Sequence, residues 1–153
     1  MPLKDGIFII ASTLPTNPVL DIYGTAVAFN SPLSGVVGFA RQNTDTKHQQ
    51  WVVTTLRRGV YSLRSVLGNA YITAPVDGSV AQLDTSVYDP VNNEATRWKI
   101  TNVGVDTYII ESVQFPNCVI DLQYASSDDN TPALLYPNHQ TANQIWKFLP
   151  IAI

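Results

Sequence analysis

Gln144-Ile145-Trp146-Lys147-Phe148 decides how this chain is read, because its frame occurs twice more upstream, as Gln49-Gln50-Trp51-Val52-Val53 and Thr96-Arg97-Trp98-Lys99-Ile100. These hold the three tryptophans of the 153-residue chain, spaced 47 residues (51 to 98) and then 48 (98 to 146). Working outward, each copy opens with an aromatic stretch: Gly6-Ile7-Phe8-Ile9-Ile10, Gly59-Val60-Tyr61-Ser62-Leu63 and Asp106-Thr107-Tyr108-Ile109-Ile110. A third block follows in each copy, Val19-Leu20-Asp21-Ile22, Tyr71-Ile72-Thr73-Ala74 and Val119-Ile120-Asp121-Leu122. Three blocks recurring in the same order three times mark an internal repeat.

The spacings agree. Phe8 to Asp21 is 13 residues, Tyr61 to Thr73 is 12 and Tyr108 to Asp121 is 13; from there to the tryptophan is 30, 25 and 25. The first copy therefore carries about five extra residues, assigned to the Pro- and Gly-bearing loop Ser31-Pro32-Leu33-Ser34-Gly35. Segments are short, rich in Val, Ile, Tyr and Thr, and punctuated by Gly, Pro, Asn and Asp, which is the grammar of strands and turns. Ten prolines along the chain oppose helices. A propeller needs about four or more blades. Three units of about four strands instead predict an all-β fold, a β-trefoil forming one domain, with repeats at approximately 6–53, 59–100 and 106–148. The tryptophans and opening aromatics are expected in its core.

The hydrophobic fraction of 45% is ordinary, but the charged fraction of 14% lies well below the usual quarter. Amides and hydroxyls must supply the polar surface, which suits neutral hydrogen-bonding ligands. Net charge is −3 and only Arg57-Arg58 are adjacent cations, so no basic stripe exists for nucleic acid, heparin-like polyanions or anionic membranes. The lone Cys118 has no partner for an intramolecular disulfide and is expected as a small buried residue, which suits a reducing compartment. The apolar run Ile7 to Ala11 is too short for a secretory signal, and no segment reaches membrane-spanning length. Synthesis in the cytosol is expected, with release by a non-signal route left open.

The triplicate frame ending in Gln-x-Trp resembles the ricin-B-type (QxW) lectins, in their disulfide-free fungal branch. Gly35-Val36-Val37-Gly38-Phe39, leading twelve residues later to Trp51, is similar to the corresponding stretch of fungal agglutinins. The resemblance covers essentially the whole chain and implies a non-catalytic agglutinin, with galactose- or N-acetylgalactosamine-containing glycans as partners, and no cofactor or metal. Plant members commonly close each repeat with a disulfide. Here Cys118 stands near one such position and Asn138 near where its partner would be.

A shallow sugar pocket needs an ionised acceptor for two hydroxyl protons, amides that donate and accept, and an aromatic platform for the C–H face of the ring. Hydrogen bonds to a charged group contribute about 1.5–3 kcal/mol each, against about 1 for neutral ones. The carboxylate is thus the group a site can least lose. In the first repeat Asp21 is the expected carboxylate and Phe39 the platform; Gly38 is expected to bring backbone close, and His48 and Gln49 stand where the family has Asn-Gln. In the third, Asp121 is the carboxylate, Tyr136 the platform, and Asn138, Asn143 and Gln144 the amides. Gln49 and Gln144 have a second reading, holding the trefoil loop together rather than touching ligand. The second repeat has Thr73 for the Asp and Ala95-Thr96 for the Asn-Gln; Tyr88 remains as a platform, but the site is expected to be silent.

Two sites would raise avidity on clustered glycans, and a homodimer would raise it further. The apolar tail Phe148-Leu149-Pro150-Ile151-Ala152-Ile153 either closes the barrel or joins such a dimer. Catalysis is disfavoured: His48 and His139 fall in non-equivalent loops, and no nucleophile motif or zinc-ligand spacing occurs. Asp128-Asp129-Asn130 lacks the alternation and terminal Glu of a calcium loop and is expected as a solvated turn. The alternative is a trefoil protease inhibitor acting through exposed loops, which would not need Asp beside an aromatic in two of three repeats.

Overall fold

The computed structural model describes residues 2–22, 35–44, 46–87 and 89–151. The first repeat folds as β1 (Gly6–Ser12), β2 (Val19–Ile22), β3 (Val36–Phe39) and β4 (Trp51–Arg57). The second forms β5 (Val60–Ser65), β6 (Tyr71–Thr73), β7 (Asp84–Ser86) and β8 (Trp98–Gly104). The third forms β9 (Thr107–Ser112), β10 (Cys118–Leu122), β11 (Thr131–Pro137) and β12 (Trp146–Pro150). The helical content among the described residues is four 3-10 turns of three residues each. None is long or apolar enough to cross a membrane.

Six strands close on themselves: β1 pairs β4, β4 pairs β5, β5 pairs β8, β8 pairs β9, β9 pairs β12, and β12 returns to β1, all antiparallel. The other six are three hairpins, β2–β3, β6–β7 and β10–β11, that cap one end. Each cap joins its barrel strand through one equivalent pair: Ala11 with Val19, Arg64 with Tyr71, and Glu111 with Val119. The caps also meet one another. Val36 N–H donates to Leu83 O at 2.9 Å, Leu83 N–H donates to Ala133 O at 2.8 Å, and β11 pairs β3. The molecule is a β-trefoil, as the repeat predicted. A closed barrel leaves no open sheet edge at its wall, which is why short strands suffice.

Register explains the recurring residues. Each tryptophan faces a buried serine of the next strand, Trp51 opposite Ser65, Trp98 opposite Ser112 and Trp146 opposite Ser12. On its other side it faces the opening aromatic: Trp51 opposite Phe8, Trp98 opposite Tyr61, Trp146 opposite Tyr108. All three indoles are 0% exposed. Each finds the hydrogen-bond acceptor that a buried indole N–H requires. Trp51 Nε1 donates to Leu20 O at 3.1 Å, Trp98 Nε1 to Ile72 O at 2.9 Å and Trp146 Nε1 to Ile120 O at 3.1 Å. Those carbonyls belong to the residues just before Asp21, Thr73 and Asp121.

The apolar tail closes the barrel over its described part. Ile10 pairs with Phe148, Ile9 with Leu149 and Phe8 with Pro150, and Ile151 N–H donates to Ile7 O at 2.9 Å. Phe148 packs edge-on against Phe8 and Tyr108, with ring centroids 5.8 and 5.5 Å apart. Residues 31–34 of the extra loop lie outside the described residues, as do Tyr88, Ala152 and Ile153. Cys118 is half-buried against the core rather than fully enclosed. It pairs with Pro137, and Asn138 N–H donates to Asn117 O at 2.8 Å, so the two positions of the missing bridge are still neighbours.

Trp98→Phe keeps the ring in the core but orphans the buried Ile72 carbonyl. It is expected to lower unfolding free energy by about 1–3 kcal/mol, read as a reduced urea midpoint with unchanged slope.

Candidate functional site

Gln-x-Trp has a direct structural meaning here. The tryptophan grips the main chain just before the acid, and the glutamine two residues earlier grips the acid itself. In the third repeat the 3-10 turn Ala142–Gln144 places Gln144 at 0% exposure behind β10. Its Nε2 donates to Asp121 Oδ2 at 2.8 Å and to Pro137 O at 2.9 Å. Its Oε1 accepts from His139 N–H at 2.7 Å and Gln140 N–H at 3.1 Å. One buried amide thus ties the acid to the loop that follows β11, which is the loop-holding role.

The first repeat repeats this arrangement. The turn Lys47–Gln49 buries Gln49 at 0% exposure; its Nε2 donates to Asp21 Oδ2 and to Ala40 O, both at 3.0 Å, and its Oε1 accepts from Gln42 N–H at 2.9 Å. The residue before each glutamine differs. Asn143 Nδ2 donates to Leu122 O at 3.1 Å, while its Oδ1 accepts from Thr141 Oγ1 at 2.6 Å. His48 instead sets Nε2 3.5 Å from Asp21 Oδ2.

Both acids are 4% exposed. Burial pushes the Asp121 carboxyl above its ordinary value, opposed by hydrogen bonds from Gln144 and Asn143 and by the nearby His139. Burial likewise raises Asp21, opposed by the Gln49 hydrogen bond and by His48, and Asp129 adds like-charge repulsion.

The platform positions follow from register. Phe39 lies opposite Val19 and Tyr136 opposite Val119, each partner being two residues before the acid. Two residues along a strand share a face, so ring and carboxylate project from the same side of the hairpin. Tyr136 is 37% exposed and Phe39 half-buried. The Tyr136 ring leans on His139, with centroids 5.8 Å apart. Around Asp121 and Tyr136 lies a cavity of about 510 Å³, bordered also by Leu134, His139, Asn143 and, from the second repeat, Val80. Its rim carries Tyr124, 91% exposed with φ of 55°, next to Ala125 at φ of 53°. Two adjacent left-handed residues without glycine store strain in that rim.

Two expected residues have other neighbours. Asn138 Oδ1 accepts from Gln140 N–H at 3.0 Å and shapes the turn; it does not border this cavity. At Gly38 a Cβ would stand 2.9 Å from Leu122 Cδ2, so its lack of a side chain admits the third repeat's leucine. Sequence reasoning also missed contributors that come from other repeats or loops. Asp129 Oδ1 accepts from Ala40 N–H at 2.9 Å, and Asn130 N–H donates to Gly38 O at 2.9 Å, so the exposed Asp128-Asp129-Asn130 turn docks onto the first repeat beside Phe39. His139 was visible only as a loop histidine; its distance from Tyr136, three residues, was the available signal.

In the second repeat, the register position of the platform is Ser86, opposite Tyr71. Its Oγ lies 2.8 Å from Thr73 Oγ1, which donates to Tyr71 O at 2.8 Å. Thr96 fills the glutamine position at 0% exposure and donates to Asn93 O at 2.7 Å. Carboxylate, platform and amide are thus replaced by three hydroxyls. No group of three or more His, Cys, Asp or Glu side chains able to hold a metal occurs among the described residues.

Residues 47–136 match the family described as ricin-type beta-trefoil lectin domain-like. No curated protein matches the chain by sequence. Among solved structures, a designed three-fold symmetric protein, ThreeFoil, superposes with a TM-score of 0.81 at 18% identity, over 96% of this chain and 100% of its own. The Rhizoctonia solani agglutinin superposes at 0.79 with 23% identity, covering 99% of both chains. The C-half of the earthworm R-type lectin, solved in complex with GalNAc, is 27% identical with a TM-score of 0.70, over 94% of this chain and 98% of its own. By its matched repeats and its fold, this chain belongs to the ricin-type β-trefoil lectin-like family, a carbohydrate-binding fold.

Proposed function

We propose that the chain is a non-catalytic agglutinin that binds galactose- or N-acetylgalactosamine-type glycans through two shallow pockets. The first is built on Asp21, Phe39 and His48, with Gln49 behind; the second on Asp121, Tyr136 and Asn143, with Gln144 behind. The observation that carries this is the glutamine-held carboxylate, repeated twice beside an aromatic ring. Gln144 takes one oxygen of Asp121, and the other oxygen's lone pairs serve the sugar hydroxyls. The earthworm relative, solved with GalNAc, supports the choice of sugar. Two pockets in a homodimer would present four, which raises avidity on clustered glycans without any new contact.

The buried acid supports a binding role over a structural one. An Asp whose folded pKa is raised holds its proton more tightly in the folded state. Its contribution to stability is therefore present at low pH and lost as pH rises through that folded pKa. The ionised carboxylates of Asp21 and Asp121 therefore stabilise the fold less than their protonated forms do, whereas a sugar needs them ionised.

Three outcomes are expected. Asp21→Ala and Asp121→Ala each weaken galactose-inhibitable agglutination by about tenfold or more, the loss of at least one charge-assisted hydrogen bond, whereas Thr73→Ala leaves it unchanged. Loss of activity in the Thr73 variant instead would overturn the site assignment. Asp121→Asn keeps or raises the melting temperature at neutral pH while reducing galactose affinity in calorimetry. Affinity of the unaltered protein falls on acidification, and the fall begins above the ordinary aspartate range.

A further inference from the structure

The chain carries a net charge of −3 with nine Lys and Arg spread along it, yet the fold gathers three of them at one place on the barrel wall. Arg57 stands opposite Val60, Val60 opposite Lys99, and Lys99 opposite Glu111, a row across β4, β5, β8 and β9. Directly opposed residues of antiparallel pairs project from one face. Trp98 and Ile100, on either side of Lys99, are buried in the core, so by strand alternation the row faces outward. The turn between β4 and β5 adds Arg58. Gly59 holds a φ of 77°, which admits so tight a turn, and its carbonyl accepts from Ile100 N–H at 3.1 Å, which fixes the turn against β8.

A cavity of about 430 Å³ opens over this row. Arg57, Arg58, Lys99 and Glu111 give it charge, and Val60, Val113 and Pro116 give it an apolar side. The three cations are exposed, and among the described residues none of them forms an ion pair. Nearby Arg97 differs: its Nε donates to Pro90 O at 2.7 Å and its Nη2 to Val91 O at 2.8 Å. The cationic donors left free thus converge on one cavity and form no stripe along which a polyanion could lie. Glu111 Oε2 accepts from Asn117 N–H at 2.8 Å, so Oε1 is the oxygen available to a ligand hydroxyl. Three cations and one carboxylate leave a local excess of two positive charges. A phosphate monoester, at about −1.5 to −2 near neutrality, balances that excess; a carboxylate or a sulfate ester, with a single charge, does not.

We propose that this cavity binds a sugar phosphate, at a site that shares no residue with the glycan pockets and does not depend on them. The Arg57 and Arg58 guanidinium groups and the Lys99 ammonium take the phosphate oxygens, an arrangement suited to the planar fork of arginine. Glu111 accepts from a sugar hydroxyl, and the apolar side covers the C–H face of the ring.

The test is a site-resolved NMR titration of the whole protein with glucose-6-phosphate, beside glucose, glucose-6-sulfate, phosphoserine and inorganic phosphate. Backbone signals of Gly59, Lys99 and Val113 report this cavity; those of Tyr136 and His139 report the third-repeat pocket. The two sites therefore succeed or fail independently. Expected are saturating shifts of the first group with glucose-6-phosphate, with a midpoint about tenfold or more below that of any other probe. Arg58→Gln and Lys99→Gln each raise that midpoint by about tenfold or more. Both side chains are exposed, and an unchanged spectrum away from the cavity shows that each variant is folded. Signals that stay still with glucose-6-phosphate, or a midpoint that neither variant moves, would overturn the site. Equal binding of inorganic phosphate or phosphoserine would overturn the sugar, and equal binding of the sulfate or of glucose would overturn the charge match.

Discussion

Each buried indole N–H donates to the carbonyl just before the residue at the centre of a cap hairpin, and that bond sets where everything else can stand. An indole at 0% exposure must find an acceptor, and among the described residues every buried side-chain polar atom has a partner. In meeting that requirement, Trp51, Trp98 and Trp146 fasten barrel to cap at three equivalent points. The strand carrying the acid is thereby fixed against the barrel wall. The glutamine two residues upstream adds a grip on the acid's side chain. Site and core share one short motif, which accounts for its recurrence at a nearly constant interval.

The two acids are the strained members of this arrangement. Burial works against their charge, and a neighbouring amide and a histidine work for it. A structural residue at that position is better served by a hydroxyl, and the second repeat shows that solution, with Thr73 bonded to Ser86 and to the Tyr71 carbonyl. The comparison within one chain separates what the trefoil needs from what two of its repeats carry beyond that need. The trefoil keeps the tryptophan in all three repeats; only two keep the acid, the amide and the ring.

The tryptophan interval was legible in the residues because barrel closure demands equal strand spacing, and the acid and glutamine positions because both are chemically conspicuous; that each glutamine bonds the acid of its own repeat was not. Cross-strand register was not legible. The residue opposite Tyr71 is Ser86, a position set by hairpin length that composition does not reveal, while Tyr88 lies outside the described residues. Contacts between repeats were equally hidden. Gly38 was expected to bring backbone toward a ligand, and it faces Leu122 of another repeat; Asn138 was expected among the amides, and it shapes a turn. Asp129 reaches Ala40 across 89 positions of sequence, beyond any local pattern.

The pairing of β12 with β1 also governs how the chain can fold. The barrel's last wall joins residues 8–12 to residues 146–150, so the first strand waits for a partner made more than 130 positions later. Loop closure over that length is entropically slow, and topologies dominated by such distant pairings fold in milliseconds to seconds rather than microseconds. Until Trp146 arrives, β1 presents an unpaired flank rich in isoleucine. The nascent protein is then open to strand exchange with a neighbour, and a slow ribosome lengthens that exposure.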